Sequence, residues 1–143
     1  MKLTPISQRP RYPYHWEVTD VRFRDLTGDG MKEVIWDLFT VGGTGSSPSQ
    51  MGVHQWSGSR ATRIFRFGNF GKPPVGYAYV VTATWKIVPG SNGGLPEIQT
   101  SESLHKRDDA NCCPSAFRIT RYRWNGTQIA PVPGSVLIKP AKA

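Results

Sequence analysis

The stretch FRITRYRWNGTQIAPV, residues 117–132, decides the fold of this chain. Two runs rich in β-branched and aromatic residues flank Asn125-Gly126, and an Asn-Gly pair in that position is typical of a β-hairpin turn. Similar runs recur along the chain, whereas no window keeps apolar residues at helical spacing over three turns. The sequence therefore predicts a mainly β protein with eight strands, at 16–24, 33–41, 51–56, 62–67, 77–88, 97–104, 117–124 and 128–132.

Three short motifs recur in the same order and predict an internal repeat covering about residues 18–66 and 84–132. The matching pairs are Asp29–Val34 with Gly93–Ile98, Ser47–Ser49 with Cys113–Ser115, and Trp56–Ser59 with Trp124–Thr127. One four-stranded unit cannot bury its apolar face alone, so we expect two related antiparallel units forming a sandwich or propeller-like blades. They form a single domain over residues 17–138, flanked by an N-terminal arm (1–16) and a C-terminal tail (139–143).

The charge balance favours an anionic partner. The chain has 18 Lys and Arg residues against 10 Asp and Glu residues, a net charge of +8, which suits nucleic acid, a phospholipid surface or a cell-wall polymer. Arginines alternate with aromatic residues in two clusters, a composition that suits single-stranded nucleic acid, although a solvated strand face has the same composition. The clusters contain Arg60, Arg63, Phe65, Arg66 and Phe67 in one half and Arg118, Arg121, Tyr122, Arg123 and Trp124 in the other.

Two segments resemble the LppP/LprE family of exported bacterial lipoproteins. They are GGTGSSPSQMGVHQWSGS (42–59) and DDANCCPSAFRITRYRWNGTQI (108–129), and the resemblance spans about residues 18–132. It implies an extracytoplasmic protein, secreted or attached to the outer face of a bacterial membrane through a lipidated N-terminal Cys. This sequence contains no such Cys. The family carries no assigned catalytic activity.

Export bears on the only two cysteines, Cys112 and Cys113, because thiols outside the cytosol are usually oxidised. With no third Cys, the intramolecular possibility is a vicinal disulfide; the alternative is a pair of reduced, buried thiols. Adjacent Cα atoms are about 3.8 Å apart, closer than in ordinary disulfides, so the bridge would stiffen a loop rather than close a long one. We expect this loop to contact a partner through Lys106, Arg107, Asn111 and Pro114.

The stretch RDLTGDGMKEVI, residues 24–35, resembles the calcium loops of FG-GAP and related β-repeat families. Oxygens at alternate positions of a tight turn can converge on Ca²⁺, which takes six to eight oxygen ligands. The candidate ligands are Asp25, Thr27, Asp29, the Met31 carbonyl and Glu33. In the alternative interpretation, Asp25 and Asp29 accept hydrogen bonds from backbone amides of a hairpin turn.

Together these observations predict an exported, non-enzymatic domain that binds or scaffolds an anionic envelope component or another envelope protein. Calcium is the only cofactor expected, nucleic acid is not an expected partner, and membrane association would require a lipid anchor. One alternative is an envelope hydrolase or accessory factor that uses loops 42–50 and 105–116. A second alternative, based on charge alone, is a basic nucleic-acid-binding domain.

Overall fold

A computed structural model describes residues 15–41, 49–68 and 72–142. Its elements are β1 (His15–Arg24), β2 (Glu33–Val41), β3 (Ser49–Ser57), β4 (Arg60–Gly68), β5 (Tyr79–Val88), a 3₁₀ turn (Ser91–Gly93), β6 (Glu97–His105), β7 (Ala116–Trp124), β8 (Ile129–Pro131) and β9 (Leu137–Pro140). All eight predicted strands are present, with ends shifted by a few residues. The described ranges hold no helix long and apolar enough to cross a membrane.

The strands form two antiparallel sheets. The first has the order β1-β2-β3-β4 and the second β5-β6-β7-β8, with β9 also paired to β7. Their inner faces contribute to one hydrophobic core, as in a β sandwich. The predicted mainly β class is confirmed.

The two sheets repeat the same register as well as the same strand order. Equivalent pairs are Arg24–Glu33 and Val88–Glu97, Val34–His54 and Ile98–Tyr122, and Trp56–Ala61 and Trp124–Ile129. The first and second strands of the halves are therefore 64 residues apart and the third strands 68 apart, which are the spacings of two of the three matched motifs. The third match, at a spacing of 66, does not follow this register, because the counterpart of Ser49 is Phe117 and not Ser115. Because a one-residue slip would turn every side chain to the opposite face, this agreement supports the predicted repeat.

The halves differ in the fourth strand. In the second sheet β8 ends at Pro131, and β7 pairs again only with β9, after a short loop that contains Pro133. Proline has no N–H to donate to a ladder, which accounts for the interruption. At the interruption, the Arg121 carbonyl accepts from the Val132 amide (2.7 Å) and from the Ser135 hydroxyl (3.2 Å), and the Arg121 amide donates to the Ser135 hydroxyl oxygen (3.2 Å). Pro140 ends β9, so the predicted tail at 139–143 is partly strand.

The core lies between the sheets and draws on both repeats. Phe65 of the first sheet packs against Tyr122 of the second with ring centroids 4.9 Å apart. This contact removes both rings from the proposed nucleic-acid surface, because a base cannot stack on a ring that is packed in a core. The buried cluster comprises Leu26, Ile35, Met51, Val53, Ile64, Phe65, Ile98 and Ile129.

Candidate functional site

The turn between β1 and β2 is held by its own carboxylates. Asp25 accepts hydrogen bonds from the amides of Gly28 (2.7 Å) and Gly30 (2.9 Å), and Asp29 accepts one from the Met31 amide (2.8 Å). Both glycines have positive φ, of 80° and 85°, which only glycine adopts without strain. The hairpin interpretation therefore accounts for the local sequence DLTGDG.

The buried carboxylate of Glu33 holds this turn through hydrogen bonds from two of its residues. Its side chain is 1% exposed, and its two oxygens accept hydrogen bonds from the Leu26 amide (2.6 Å) and the Thr27 hydroxyl (3.2 Å). A carboxylate buried at this depth requires such donors, because an unpaired buried charge is costly. Leu26 belongs to the core, so the carboxylate ties the turn to the centre of the sandwich.

The second half contains the same arrangement at Glu97, which occupies the equivalent position and is fully buried. Glu97 accepts hydrogen bonds from the amide (3.2 Å) and the hydroxyl (2.8 Å) of Ser91, the counterpart of Thr27. Arg121 adds an ion pair at 3.3 Å. Among the described residues, Glu33 has no Lys or Arg within ion-pair distance. The two halves thus share a buried glutamate that holds the turn, and in the part of the chain that the structure describes a cation accompanies it in the second half alone.

Carboxylate oxygens of Asp25, Asp29 and Glu33 all lie within 4.8 Å of one another. The structure therefore brings together three of the five predicted calcium ligands. Thr27 donates its hydroxyl hydrogen to Glu33, and the Met31 amide donates to Asp29. Calcium binding at this turn stays a prediction.

The cysteine loop, residues 106–115, connects β6 to β7. Cys112 and Cys113 form the vicinal disulfide, with Cα atoms 3.8 Å apart, and both residues are exposed. The alternative of two reduced, buried thiols is therefore wrong. Lys106, Arg107 and Asn111 are also exposed, while Pro114 is half-buried at the base of the loop.

Asp109 fixes the shape of this loop, and we did not foresee its role. One carboxylate oxygen accepts hydrogen bonds from the Lys106 amide (2.7 Å), the Ser115 amide (3.1 Å) and the Ser115 hydroxyl (2.7 Å). The Tyr79 hydroxyl donates to the Asp109 carbonyl (2.6 Å). The Ser115 hydroxyl and the two amides favour the charged carboxylate and lower the pKa of Asp109. In the sequence, the signal that could have indicated this role is the placement of Asp109 and Ser115 on either side of the two cysteines.

A buried histidine supports the loop from below. His105 is fully buried, stacks on Tyr79 with ring centroids 5.1 Å apart, and contacts the Ser103 hydroxyl through Nε2 (3.2 Å). Ser103 is 3% exposed, and its oxygen accepts hydrogen bonds from the amides of Val81 and Thr82. The Ser-His pair is inaccessible to a substrate in this arrangement. Residues 42–48, the other loop of the hydrolase alternative, lie outside the described residues.

Two arginines of the second cluster, Arg118 and Arg121, each form an ion pair with a different buried glutamate. Arg118 makes a bidentate ion pair with buried Glu102, with atoms 2.6 and 3.0 Å apart, and Arg121 pairs with Glu97. The hydrogen bond with Glu102 raises the pKa of Arg118. These two arginines project from opposite faces of β7, because they are three residues apart along a strand. They do not form one basic surface.

An aromatic-histidine contact covers the outer face of the first sheet. The Trp36 indole lies over Gly52 and donates its N–H to His54 Nδ1 (2.9 Å). Burial, with a smaller contribution from Arg63, lowers the pKa of His54. This close approach requires glycine, since a Cβ at position 52 would overlap the indole ring.

Comparison with known proteins adds no relative. No family model matches the chain, and neither the curated proteins nor the solved structures contain a match. The resemblance to exported lipoproteins stays a prediction from the sequence.

Proposed function

We propose that this protein is a non-catalytic binding domain of the bacterial cell envelope and that the cysteine loop is its contact surface for an anionic envelope component. The observation that carries the proposal is a loop that is both exposed and held in one shape. Its disulfide, the Asp109 carboxylate and the Tyr79 hydroxyl restrain it from three directions.

Rigidity favours binding because a loop that is already ordered loses less conformational entropy when a partner docks. The exposed disulfide also supports an extracytoplasmic location, since disulfides persist mainly in oxidising compartments. Lys106 and Arg107 lie at the entrance of the loop and are exposed. Asp108 and Asp109 follow them in the chain, so the loop as a whole carries no net charge, and an anion would have to be held locally by the two exposed cations.

Calcium in the β1–β2 turn belongs to the same proposal as a structural ion. Within the described ranges, Glu33 lacks the cation that its counterpart Glu97 obtains from Arg121, and two further carboxylates lie beside it. An ion there would supply the missing positive charge and stabilise the turn without taking part in binding at the cysteine loop.

The test compares loop variants with a charge-matched control. Two probes distinguish the sources of negative charge: soluble polyphosphate, and vesicles of phosphatidylglycerol mixed with phosphatidylcholine. We expect binding to at least one probe to be lost in Lys106→Ala/Arg107→Ala and retained in Lys32→Ala/Arg60→Ala, whose side chains are exposed elsewhere. Equal losses in the two double variants would attribute binding to the net charge of +8 alone and contradict the proposal.

A second variant tests rigidity separately from charge. Cys112→Ser/Cys113→Ser keeps every charged group and removes the bridge. We expect its free energy of unfolding to fall by about 1 kcal/mol or less, because the bridge closes no long loop, while affinity for the probe decreases. Unchanged affinity would show that the disulfide does not organise the binding surface.

A further inference from the structure

A cleft between β1 and β5 is not part of the surface proposed above. Both are edge strands of their sheets, and two depressions of about 380 and 510 Å³ lie between them and share Arg22. These volumes fall in the range of small-ligand sites. The smaller depression, here called the β1–β5 cleft, is lined by Asp20, Asp37, Phe39, Thr82, Thr84 and Trp85.

The polar groups of the β1–β5 cleft hold one another in place. The Arg22 guanidinium lies 5.0 Å from the centroid of the Trp85 ring, and its Nε donates to Asp20. Asp37 accepts a hydrogen bond from the Thr19 hydroxyl (3.3 Å), and the nearby Trp85 side chain acts to lower the pKa of Asp37. Side chains fixed in this way lose little entropy on binding a ligand.

Asp37 is the most sheltered carboxylate of the cleft. Burial raises its pKa, although the side chains of Trp85 and Thr19 oppose the increase. A hydrogen bond to a partly desolvated carboxylate is stronger than one formed in open water. Asp37 is therefore the group from which a ligand hydroxyl would gain most.

The backbone geometry disfavours a peptide that adds as an extra strand. The register shifts between Val18 and Asp20 in β1 and between Val80 and Ala83 in β5, next to the cleft in both strands. Such irregularities interrupt the regular ladder that an added strand would need. Recognition in the cleft must then come from side chains.

The side chains match one ligand class. Carboxylates accept hydrogen bonds from hydroxyls, the guanidinium and threonine hydroxyls donate to oxygens, and the aromatic rings suit apolar C–H surfaces. Two carboxylates against one guanidinium make the cleft unsuitable for an anion, despite the positive charge of the whole chain. We infer that the β1–β5 cleft binds a neutral carbohydrate, with Asp37 and Asp20 accepting from its hydroxyl groups and Arg22 donating to its oxygens.

The second depression extends the site beyond one sugar ring. It continues past Arg22 along Phe23, Ile87, Pro89 and Pro96. A chain of sugar units would therefore cross the guanidinium, with its more polar contacts on the Asp37 side. This makes an oligosaccharide the appropriate probe.

The experiment titrates the full chain with maltotriose, cellotriose and chitotriose, followed by amide chemical shifts and tryptophan fluorescence. We expect saturable binding of at least one trisaccharide. Asp37→Asn should weaken it about tenfold or more, since hydrogen bonds to charged groups are worth more than neutral ones. Thr84→Val, at an exposed position where a β-branched residue is retained, should weaken it a few-fold, and Asp108→Asn should leave it unchanged.

Binding of none of the three trisaccharides would overturn the inference, and so would binding that survives both cleft variants in folded protein. The cysteine-loop variants separate this inference from the proposed function. Lys106→Ala/Arg107→Ala should not alter trisaccharide affinity, and Asp37→Asn should not alter binding to the anionic probes.

Discussion

The two buried glutamates offer a matched pair of perturbations, Glu33→Gln and Glu97→Gln. Glutamine keeps the shape of the side chain but removes its charge and replaces one acceptor oxygen by a donor. At Glu33 the amide of Leu26 and the hydroxyl of Thr27 then lose a charged acceptor. Hydrogen bonds to charged groups are worth about 1.5–3 kcal/mol against about 1 kcal/mol for neutral ones, so we expect a loss of about 2 kcal/mol.

At Glu97 the same change also removes the ion pair with Arg121. That arginine side chain is 34% exposed, so water can solvate the freed guanidinium and the pair adds little to the total. The contacts with Ser91 resemble those at Glu33, and we expect a similar loss of about 2 kcal/mol.

Urea unfolding of the wild type and both variants, in chelator and in millimolar calcium, measures these losses. If calcium binds the first turn, it should stabilise the wild type and Glu97→Gln but not Glu33→Gln, by mass action on the folded state. A loss well under about 1 kcal/mol for either variant would refute the reasoning that the carboxylate holds its turn. A stability gain for Glu33→Gln in chelator would show instead that repulsion among the acidic groups outweighs the hydrogen bonds.

Three further outcomes follow from single contacts. Gly52→Ala should lower the free energy of unfolding by about 1–3 kcal/mol, because the added methyl displaces the Trp36 indole packed over it. A lower Tm and a red shift in tryptophan emission should accompany this loss, and an unchanged Tm would contradict that packing. The pKa of Asp109 in the folded state lies below its unfolded value of about 3.9, so its contribution to stability is complete above that pH and is lost as pH falls through the folded pKa. A plot of Tm against pH should therefore be flatter at the acid end for Asp109→Asn than for the wild type. Identical slopes at acid pH would count against the role of Asp109 in holding the loop. Calcium should raise the Tm of the wild type and leave Asp29→Ala unaffected, whereas equal melting curves in calcium and chelator would remove the metal site.

Much of the fold could be predicted from local patterns in the sequence. Strand positions followed from runs of β-branched and aromatic residues, and the repeat followed from three motif matches, two of which have the spacing of the paired strands. Both depend on interactions between residues that are close in sequence, such as those across the turn at Asn125-Gly126. The vicinal disulfide could be predicted for a similar reason, because the chain has two cysteines and they are adjacent.

Contacts between residues distant in sequence were decided only by the tertiary structure. Arg121 of β7 reaches Glu97 on the neighbouring strand β6, while no described arginine reaches the equivalent Glu33, although the two turns have the same place in the repeat. Asp37 and Trp85 meet in the β1–β5 cleft because the sheets pack face to face, and no spacing along the chain records that packing. Turn and strand preferences arise from neighbouring residues, whereas the partners of a buried charge and the walls of a cleft depend on how two finished sheets are placed against each other.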